Sequence, residues 1–137
     1  MVESGTTQSK NSCQMKHSQH YRSCRTAVVY QVPFSCGRSY VGQTGRCVNT
    51  RLREHDSALR SSGRTHLVDH CKSCGCVPIF TDTKILSTHK RKINRELIEA
   101  FHIRNMGEKC VGQASVTMSD KEFDFLKGTC NNPSANA

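Results

Sequence analysis

Tryptophan is absent from this chain of 137 residues, and all aromatic side chains together make up only 6% of it. With so few large apolar side chains the chain can bury one modest core, so we expect a single small domain. No apolar run approaches the ~20 residues needed to span a bilayer. The opening stretch MVESGTTQSK also lacks the apolar segment of a secretory signal. The sequence therefore predicts an intracellular protein with no membrane partner.

Acidic residues are scarce as well. The chain has 11 Asp and Glu against 20 Lys and Arg, which gives a formal net charge of +9 and a pI near 9.3. Such a charge favours an anionic partner, and nucleic acid and a membrane surface are the two that charge alone leaves open. Nine cysteines in a reduced compartment indicate metal ligands or free thiols rather than disulfides. In a secreted protein they would indicate disulfides.

The first half of the chain predicts a polar tail, a hairpin and a helix. Residues 1–25 are polar and lack apolar periodicity, which is typical of a disordered tail. Residues 27–34 and 39–43 have strand character and flank a turn, so they predict a β-hairpin. Apolar residues then recur at helical spacing after Gly45, and either Asn49 or Thr50 is available as the N-cap.

The second half predicts one more strand and two helices. Residues 79–86 have strand character, and an apolar stripe that includes Ile93 and Phe101 predicts a helix ending at Gly107. Ser119 and Glu122 form a capping-box pattern before a short C-terminal helix. The element order predicts an α/β (α+β) fold in which a small three-stranded antiparallel sheet is flanked by helices.

Five side chains indicate chemistry on a phosphodiester. Two phenols lie on the hairpin strands, an arginine and a histidine four residues apart share one face of the first helix, and a carboxylate lies on the later helix. A carboxylate binds a hard cation, an arginine neutralises phosphate charge, and a phenol or imidazole handles the proton of an attacking water. The candidate catalytic residues are Tyr30, Tyr40, Arg51, His55 and Glu99.

This pattern resembles the GIY-YIG nuclease family, which is named for its two strand motifs. The motifs stand here as Val28-Val29-Tyr30 and Tyr40-Val41-Gly42, and the resemblance spans residues 28–105. It implies a metal-dependent endonuclease that uses Mg²⁺ or Mn²⁺, with the metal at Glu99. The implied organisation is a GIY-YIG nuclease-like domain at residues 26–106, an extension with a short helix at 107–128 and a disordered tail at 129–137.

More narrowly, the segments SCGRSYVGQTGRCVNTRLREH and HLVDHCKSCGCVPIF resemble the endonuclease domain at the C-terminal end of Penelope-like retroelements. This resemblance implies DNA as the partner, nuclear location, and a reverse transcriptase domain that a chain of this length is too short to contain. The residues we assign to DNA contact are Arg38, Arg46, Arg53, Lys90, Arg91, Lys92 and Arg95. The alternative is that these side chains form an ordinary solvated face.

Two assignments within the site have competitors. We assign the general base to Tyr30 and the positioning of water or phosphate to Tyr40, although the resemblance does not distinguish the two phenols. Glu96 competes with Glu99, and helical periodicity does not separate them. Gln43 stands where some family members have a lysine, so any role of that lysine is missing here.

A cysteine and histidine cluster follows the first helix. Nitrogen and sulfur ligands at such spacing are typical of a tetrahedral structural zinc site, and Penelope-like nucleases resemble it with two cysteines between the strand motifs and two histidines later. The candidate ligands are Cys36, His66, His70, Cys71, Cys74 and Cys76. The alternative is a loop of thiols that bind no metal. A weaker candidate set, Cys13, His17, His20 and Cys24, lies in the polar tail.

Two functions remain open from the sequence. One is a metal-dependent DNA endonuclease that nicks target DNA for insertion of a mobile element. The other is a noncatalytic, zinc-stabilised nucleic-acid-binding module from a decayed element. A secreted disulfide-rich protein is a third possibility that would need a signal peptide.

Overall fold

The computed structural model describes Cys13 and residues 16–131, with side chains as far as residue 128. The strands are β1 (Val28–Pro33), β2 (Ser39–Thr44), β3 (Lys84–Thr88) and β4 (Cys110–Val111). The helices are α1 (Val48–Arg60), α2 (His66–Cys74), α3 (Lys92–Met106) and α4 (Asp120–Asn131), with short 3₁₀ turns at Phe80–Asp82 and Gly107–Lys109. Within this described part, no helix combines the length and apolarity that crossing a membrane requires.

The sheet has four strands in the order β3-β1-β2-β4. β1 pairs antiparallel with both β2 and β3, as the hairpin pattern predicted. The prediction of three antiparallel strands is wrong in one respect, because β4 pairs parallel with β2 at Ser39 and Tyr40. A two-residue strand is too short to show the alternation by which strands are found in a sequence, so β4 left no signal.

The main core lies between the central strands and the first two helices. Tyr30 and Val32 of β1 pack in one cluster with Leu52 of α1 and Leu67 of α2. Val29 lies outside this cluster and is still fully buried, and α3 packs against β1, β2 and β3. Helices therefore flank the sheet, as expected, and the strand with the first tyrosine is the most enclosed element.

Local signals predicted some element ends correctly and missed others. The capping box at Ser119 is confirmed, since its hydroxyl accepts from the Glu122 amide at 3.1 Å and its own amide donates to the Glu122 carboxylate at 3.0 Å. α1 begins earlier than predicted, with Cys47 as its N-cap and no side-chain cap bond. The third strand is shifted from 79–86 to 84–88, because Phe80–Asp82 forms a 3₁₀ turn that the Thr83 hydroxyl closes onto the Phe80 carbonyl.

The segment before β1 packs on the domain, although we expected residues 1–25 to be a disordered tail. Tyr21 and Cys24 are both buried. The Tyr21 ring lies 5.4 Å from that of Phe80, and its hydroxyl donates to Asp56 at 2.8 Å. A single aromatic residue in a polar stretch forms no periodic apolar pattern, so the sequence did not predict this contact. Residues 1–12, 14–15 and 132–137 lie outside the described part of the chain.

Gly42 is the position where the hairpin leaves no room for a side chain. A Cβ there would lie 2.7 Å from the Tyr30 hydroxyl oxygen and 2.8 Å from Cε2 of Tyr40. We expect Gly42→Ala to lower the free energy of unfolding by about 1–3 kcal/mol, because the two rings must shift within a packed core. Gly128→Ala in α4 is the control, since its Cβ meets no atom within 4 Å. Equal urea unfolding midpoints for the two variants would contradict this packing.

Candidate functional site

Three rings from β1, β2 and α1 form one group, which we call the tyrosine–histidine cluster (Tyr30, Tyr40 and His55). The Tyr30 hydroxyl and His55 Nε2 share a hydrogen bond of 3.0 Å. The Tyr40 ring meets the His55 ring edge to face at 5.1 Å and lies 6.3 Å from the Tyr30 ring. The structure therefore brings together the two phenols and the imidazole that the sequence assigned to one site.

The members of this cluster differ in their access to solvent. Tyr30 is 0% exposed and His55 is 1% exposed, whereas Tyr40 is only partly buried. A general base must reach a water molecule at the substrate. The assignment of this role to Tyr30 therefore fits the structure poorly, and Tyr40 is the phenol that lies near the surface.

Arg51 projects from the first turn of α1 toward both phenols. Burial raises the pKa of Tyr30 and of Tyr40, and the positive charge of Arg51 opposes that rise in each case. The Arg51 side chain keeps 31% of its exposure and donates to Glu54 at 3.0 Å. Arg51 therefore lies at the boundary between the two phenols and solvent.

Glu54 belongs to this site although the sequence analysis did not select it. Its two carboxylate oxygens accept from Nη1 and Nη2 of Arg46 at 2.8 and 2.9 Å, and one of them also accepts from Arg51. The pKa of Glu54 is lowered, chiefly by the hydrogen bond from Arg46. The spacing of three residues between Arg51 and Glu54 was the available signal, since such pairs meet on a helix surface.

Glu99 reaches the same region from α3. It is 6% exposed, and the Ser115 hydroxyl donates to its Oε1 at 3.1 Å. Burial raises the pKa of Glu99, and its charge in turn raises the pKa of Tyr30 and of Tyr40, so the carboxylate is within electrostatic range of both phenols. Its competitor Glu96 is partly buried and lies 3.9 Å from Lys92, and its charge also contributes to raising the pKa of Glu99.

The residues assigned to DNA contact fall into two groups. Six of the seven are exposed: Arg38, Arg46, Arg53, Lys90, Arg91 and Lys92. Arg53 lies close enough to His17 and Tyr21 to lower the pKa of each, so it faces the N-terminal segment. A helix places residues two apart on different faces, and Arg53 therefore does not join Arg51 at the tyrosine–histidine cluster.

Arg95 is the exception, because it is buried. Its Nε donates to the Gln43 side chain at 2.9 Å, and its Nη1 donates to the carbonyls of His89 and Lys90 at 3.0 and 2.8 Å. Its guanidinium ties α3 to β2 and is used within the protein, so its assignment to DNA contact does not fit. The same bond gives Gln43 a structural role at the position where some nucleases of the resembled family have a lysine.

Four of the six predicted zinc ligands come together. The donor atoms of Cys36, His70, Cys74 and Cys76 lie within 4.8 Å of one another, and this group, which we call the hairpin-turn cluster, could hold a metal ion such as zinc. Cys36 Sγ lies 3.4 Å from His70 Nε2. Three thiols and one imidazole are a common donor set for structural zinc. His66 and Cys71 are not among the four. His66 is exposed, whereas Cys71 packs in the main core beside the group, close enough for a hydrogen bond to Cys76.

Comparisons of this chain with protein-family models, with curated proteins and with solved structures gave no match. The geometry and chemistry of the side chains are therefore the basis for a functional proposal. The structure brings together Tyr30, Tyr40, Arg51 and His55, and it places Glu99 within electrostatic range of both phenols. A separate group of metal-type ligands lies at the hairpin turn.

His55 gives a prediction on pH. Burial, assisted by the charge of Arg51, lowers its pKa to about 3, whereas an unfolded chain binds a proton there near pH 6.5. Stability supplied by the neutral imidazole is therefore complete above about pH 6.5 and falls as the pH drops toward 3, at most by about 1.4 kcal/mol per pH unit. We expect His55→Gln to reduce this slope in urea unfolding between pH 7.5 and 4.5.

The matched control for this pH experiment is His66→Gln, which alters an exposed histidine. Its pH slope should follow that of the unchanged protein. Superimposable slopes for His55→Gln and the unchanged protein would show that the fold does not hold His55 in its neutral form.

The hairpin-turn cluster gives a prediction on metal content. We expect the double variant Cys36→Ser, His70→Gln to contain one zinc ion per chain fewer than the unchanged protein, because it keeps only two of the four donors. The measurement is elemental analysis after purification in reducing buffer with zinc. His66→Gln is the control and should keep the full content. Equal zinc content in all three proteins would exclude this cluster as the binding site.

Proposed function

We propose that this protein is a metal-dependent DNA endonuclease of the GIY-YIG type, which hydrolyses phosphodiester bonds of target DNA for insertion of a Penelope-like retroelement. The observation that carries the proposal is that the charges of Arg51 on α1 and Glu99 on α3 both act on the Tyr40 phenol of β2. A structural role alone would not require a partly exposed guanidinium and a buried carboxylate that both act on the same pair of phenols.

Arg51 and Tyr40 would act directly on the substrate. The exposed part of the Arg51 guanidinium can neutralise a phosphate and stabilise the charge that develops on it during hydrolysis. The raised pKa keeps the Tyr40 phenol protonated at neutral pH, so its oxygen would accept a hydrogen bond from the attacking water or its hydroxyl would donate one to a phosphate oxygen. His55 and Tyr30 are positioning residues, since both are buried and hold Tyr40 through ring contacts.

Glu99 is the residue that fits a hard divalent cation. Mg²⁺ commonly binds through one or two carboxylates and completes its shell with water and substrate phosphates. Burial disfavours the charged form of this carboxylate, and a cation would restore it. Bound there, Mg²⁺ or Mn²⁺ would supply Lewis-acid chemistry and a more acidic water. The Ser115 hydroxyl orients the carboxylate.

DNA would lie across the face that carries the exposed basic residues nearest to the cluster. Arg46 lies beside Arg51 through their shared partner Glu54, and Lys90, Arg91 and Lys92 precede and begin α3, the helix of Glu99. Contacts of this kind bind phosphates without reading sequence, and they weaken as salt rises. The same proposal implies nuclear action beside a reverse transcriptase domain.

A noncatalytic, zinc-stabilised nucleic-acid-binding module is the second candidate. The hairpin-turn cluster and the exposed basic residues favour it, because both serve binding without turnover. The burial of Tyr30 and His55 also favours it, since two of the five assigned groups have no access to substrate. The two candidates differ in whether Glu99 is needed for bond cleavage.

The endonuclease proposal predicts a specific loss of activity. We expect Glu99→Gln to abolish Mg²⁺-dependent nicking of supercoiled plasmid, because the amide cannot hold the cation, and Arg51→Ala to slow nicking by on the order of a hundredfold. Glu96→Gln on α3 and Arg60→Ala on α1 are the matched controls, since the Arg60 side chain is 71% exposed and pairs with Asp56, and both should nick at the rate of the unchanged protein. Agarose gels read the conversion to open-circular plasmid over time.

Three outcomes separate the candidates. Nicking that persists in Glu99→Gln at the original rate overturns the mechanism. Salt-sensitive plasmid binding by the unchanged protein, with no nicking in Mg²⁺ or Mn²⁺, supports the binding module instead. Nicking that stops with EDTA and with Glu99→Gln, while unfolding midpoints stay the same, supports the endonuclease.

A further inference from the structure

A second group of metal-type ligands lies at the other end of the hairpin. The donor atoms of Cys13, His17, Cys24 and Cys47 lie within 4.8 Å of one another, and we call this group the N-terminal cluster. Cys13 Sγ lies 3.3 Å from His17 Nε2. Cys24 and Cys47 are buried and the other two are partly buried, so the group faces inward at one side and solvent at the other.

The fourth member differs from the one suggested by sequence spacing. The polar-tail pattern pointed to His20, but His20 is exposed, and Cys47 closes the group from a position 23 residues beyond Cys24. Three thiols and one imidazole are again a donor set that suits tetrahedral zinc. No spacing rule along the segment could have selected Cys47, because it is brought there only by the hairpin between the two cysteines.

Cys47 lies at the start of α1. This residue is the N-cap, and no side chain caps the helix there. The first turn of α1 contains no acidic residue, so no carboxylate of the helix itself lies at the positive end of its dipole. Arg53, which lies near His17, adds a positive charge on the solvent side that offsets the excess negative charge of three thiolates around a dication.

A buried amide supports the segment that carries the other ligands. The Asn49 Oδ1 accepts from the Tyr21 and Arg22 amides at 2.8 and 3.3 Å, and its Nδ2 donates to the Arg22 carbonyl at 2.8 Å. The same Nδ2 lies 3.6 Å from Cys24 Sγ and donates to it. Hydrogen bonds to ligand sulfurs are the usual outer support of a metal site.

We propose that the N-terminal cluster binds a structural zinc ion, distinct from any ion in the hairpin-turn cluster, and that this ion fastens the segment before β1 to the first turn of α1. The described part of that segment contains no helix or strand, so its order depends on side-chain contacts and ligands. The ion would lie one turn before Arg51 and would fix the start of the helix that presents this residue and His55 to β1.

Zinc counting in the full chain tests this proposal. We expect two zinc ions per chain in the unchanged protein, one for each cluster, after purification in reducing buffer with zinc. The variant Cys36→Ser, His70→Gln should keep one ion, and adding Cys13→Ser and His17→Gln should remove that ion as well. The control His20→Gln alters a neighbouring exposed histidine outside the cluster and should keep two.

Proteolysis supplies a second measurement that needs no change in the N-terminal cluster itself. In the variant Cys36→Ser, His70→Gln, a zinc chelator should accelerate tryptic cleavage after Lys16, Arg22 and Arg25, because the segment before β1 would no longer be held to α1 by the ion. One zinc ion in the unchanged protein and none in Cys36→Ser, His70→Gln would overturn the proposal. So would cleavage rates that ignore the chelator, or a nonreduced mass that shows a disulfide among Cys13, Cys24 and Cys47 in a protein free of zinc.

Discussion

The buried hydrogen bond between Tyr30 and His55 is the interaction on which the arrangement of the domain depends. The Tyr30 hydroxyl and His55 Nε2 cannot reach water, so each needs the other, and leaving such a group unpaired costs about 1–3 kcal/mol. The second ring nitrogen of His55, Nδ1, is buried without a hydrogen-bond partner, so this bond is the one that holds the imidazole. The bond fixes the rotation of α1 about its own axis relative to the hairpin. That rotation sets Arg51, one turn earlier, at the surface beside Tyr40. Gly42 makes the arrangement possible because it leaves room for both rings.

The two Cys/His clusters lie at opposite ends of the same hairpin. Cys36 belongs to the turn between β1 and β2, whereas Cys24 precedes β1 and Cys47 follows β2. The chain has a small core and few aromatic residues, and domains of this size often rely on metals for stability. Ions at both ends would constrain the two strands that carry the tyrosines.

Much of the fold could be predicted from the sequence because its signals are local. The hairpin strands are short runs of strand-forming residues on either side of a turn. The Ser119 capping box has its own spacing, and the four-residue separation of Arg51 and His55 places them on one helix face. The features that the sequence did not predict depend on contacts between residues far apart in the chain. In the sequence Arg95 cannot be distinguished from the surface cations around it, whereas in the structure it donates hydrogen bonds to Gln43 and two backbone carbonyls. Cys47 joins its cluster only because the hairpin brings it there. β4 is too short to show a pattern.

The order of the strands has a consequence for synthesis of the protein on the ribosome. β1 is central in the sheet yet precedes every other strand in the chain, and its second neighbour, β3, is made some fifty residues later. One edge of β1 therefore stays unpaired while α1 and α2 emerge, and open strand edges invite association with other chains. A nascent chain that stalls before residue 84 would expose that edge, so rapid capture of β3 protects the protein from aggregation.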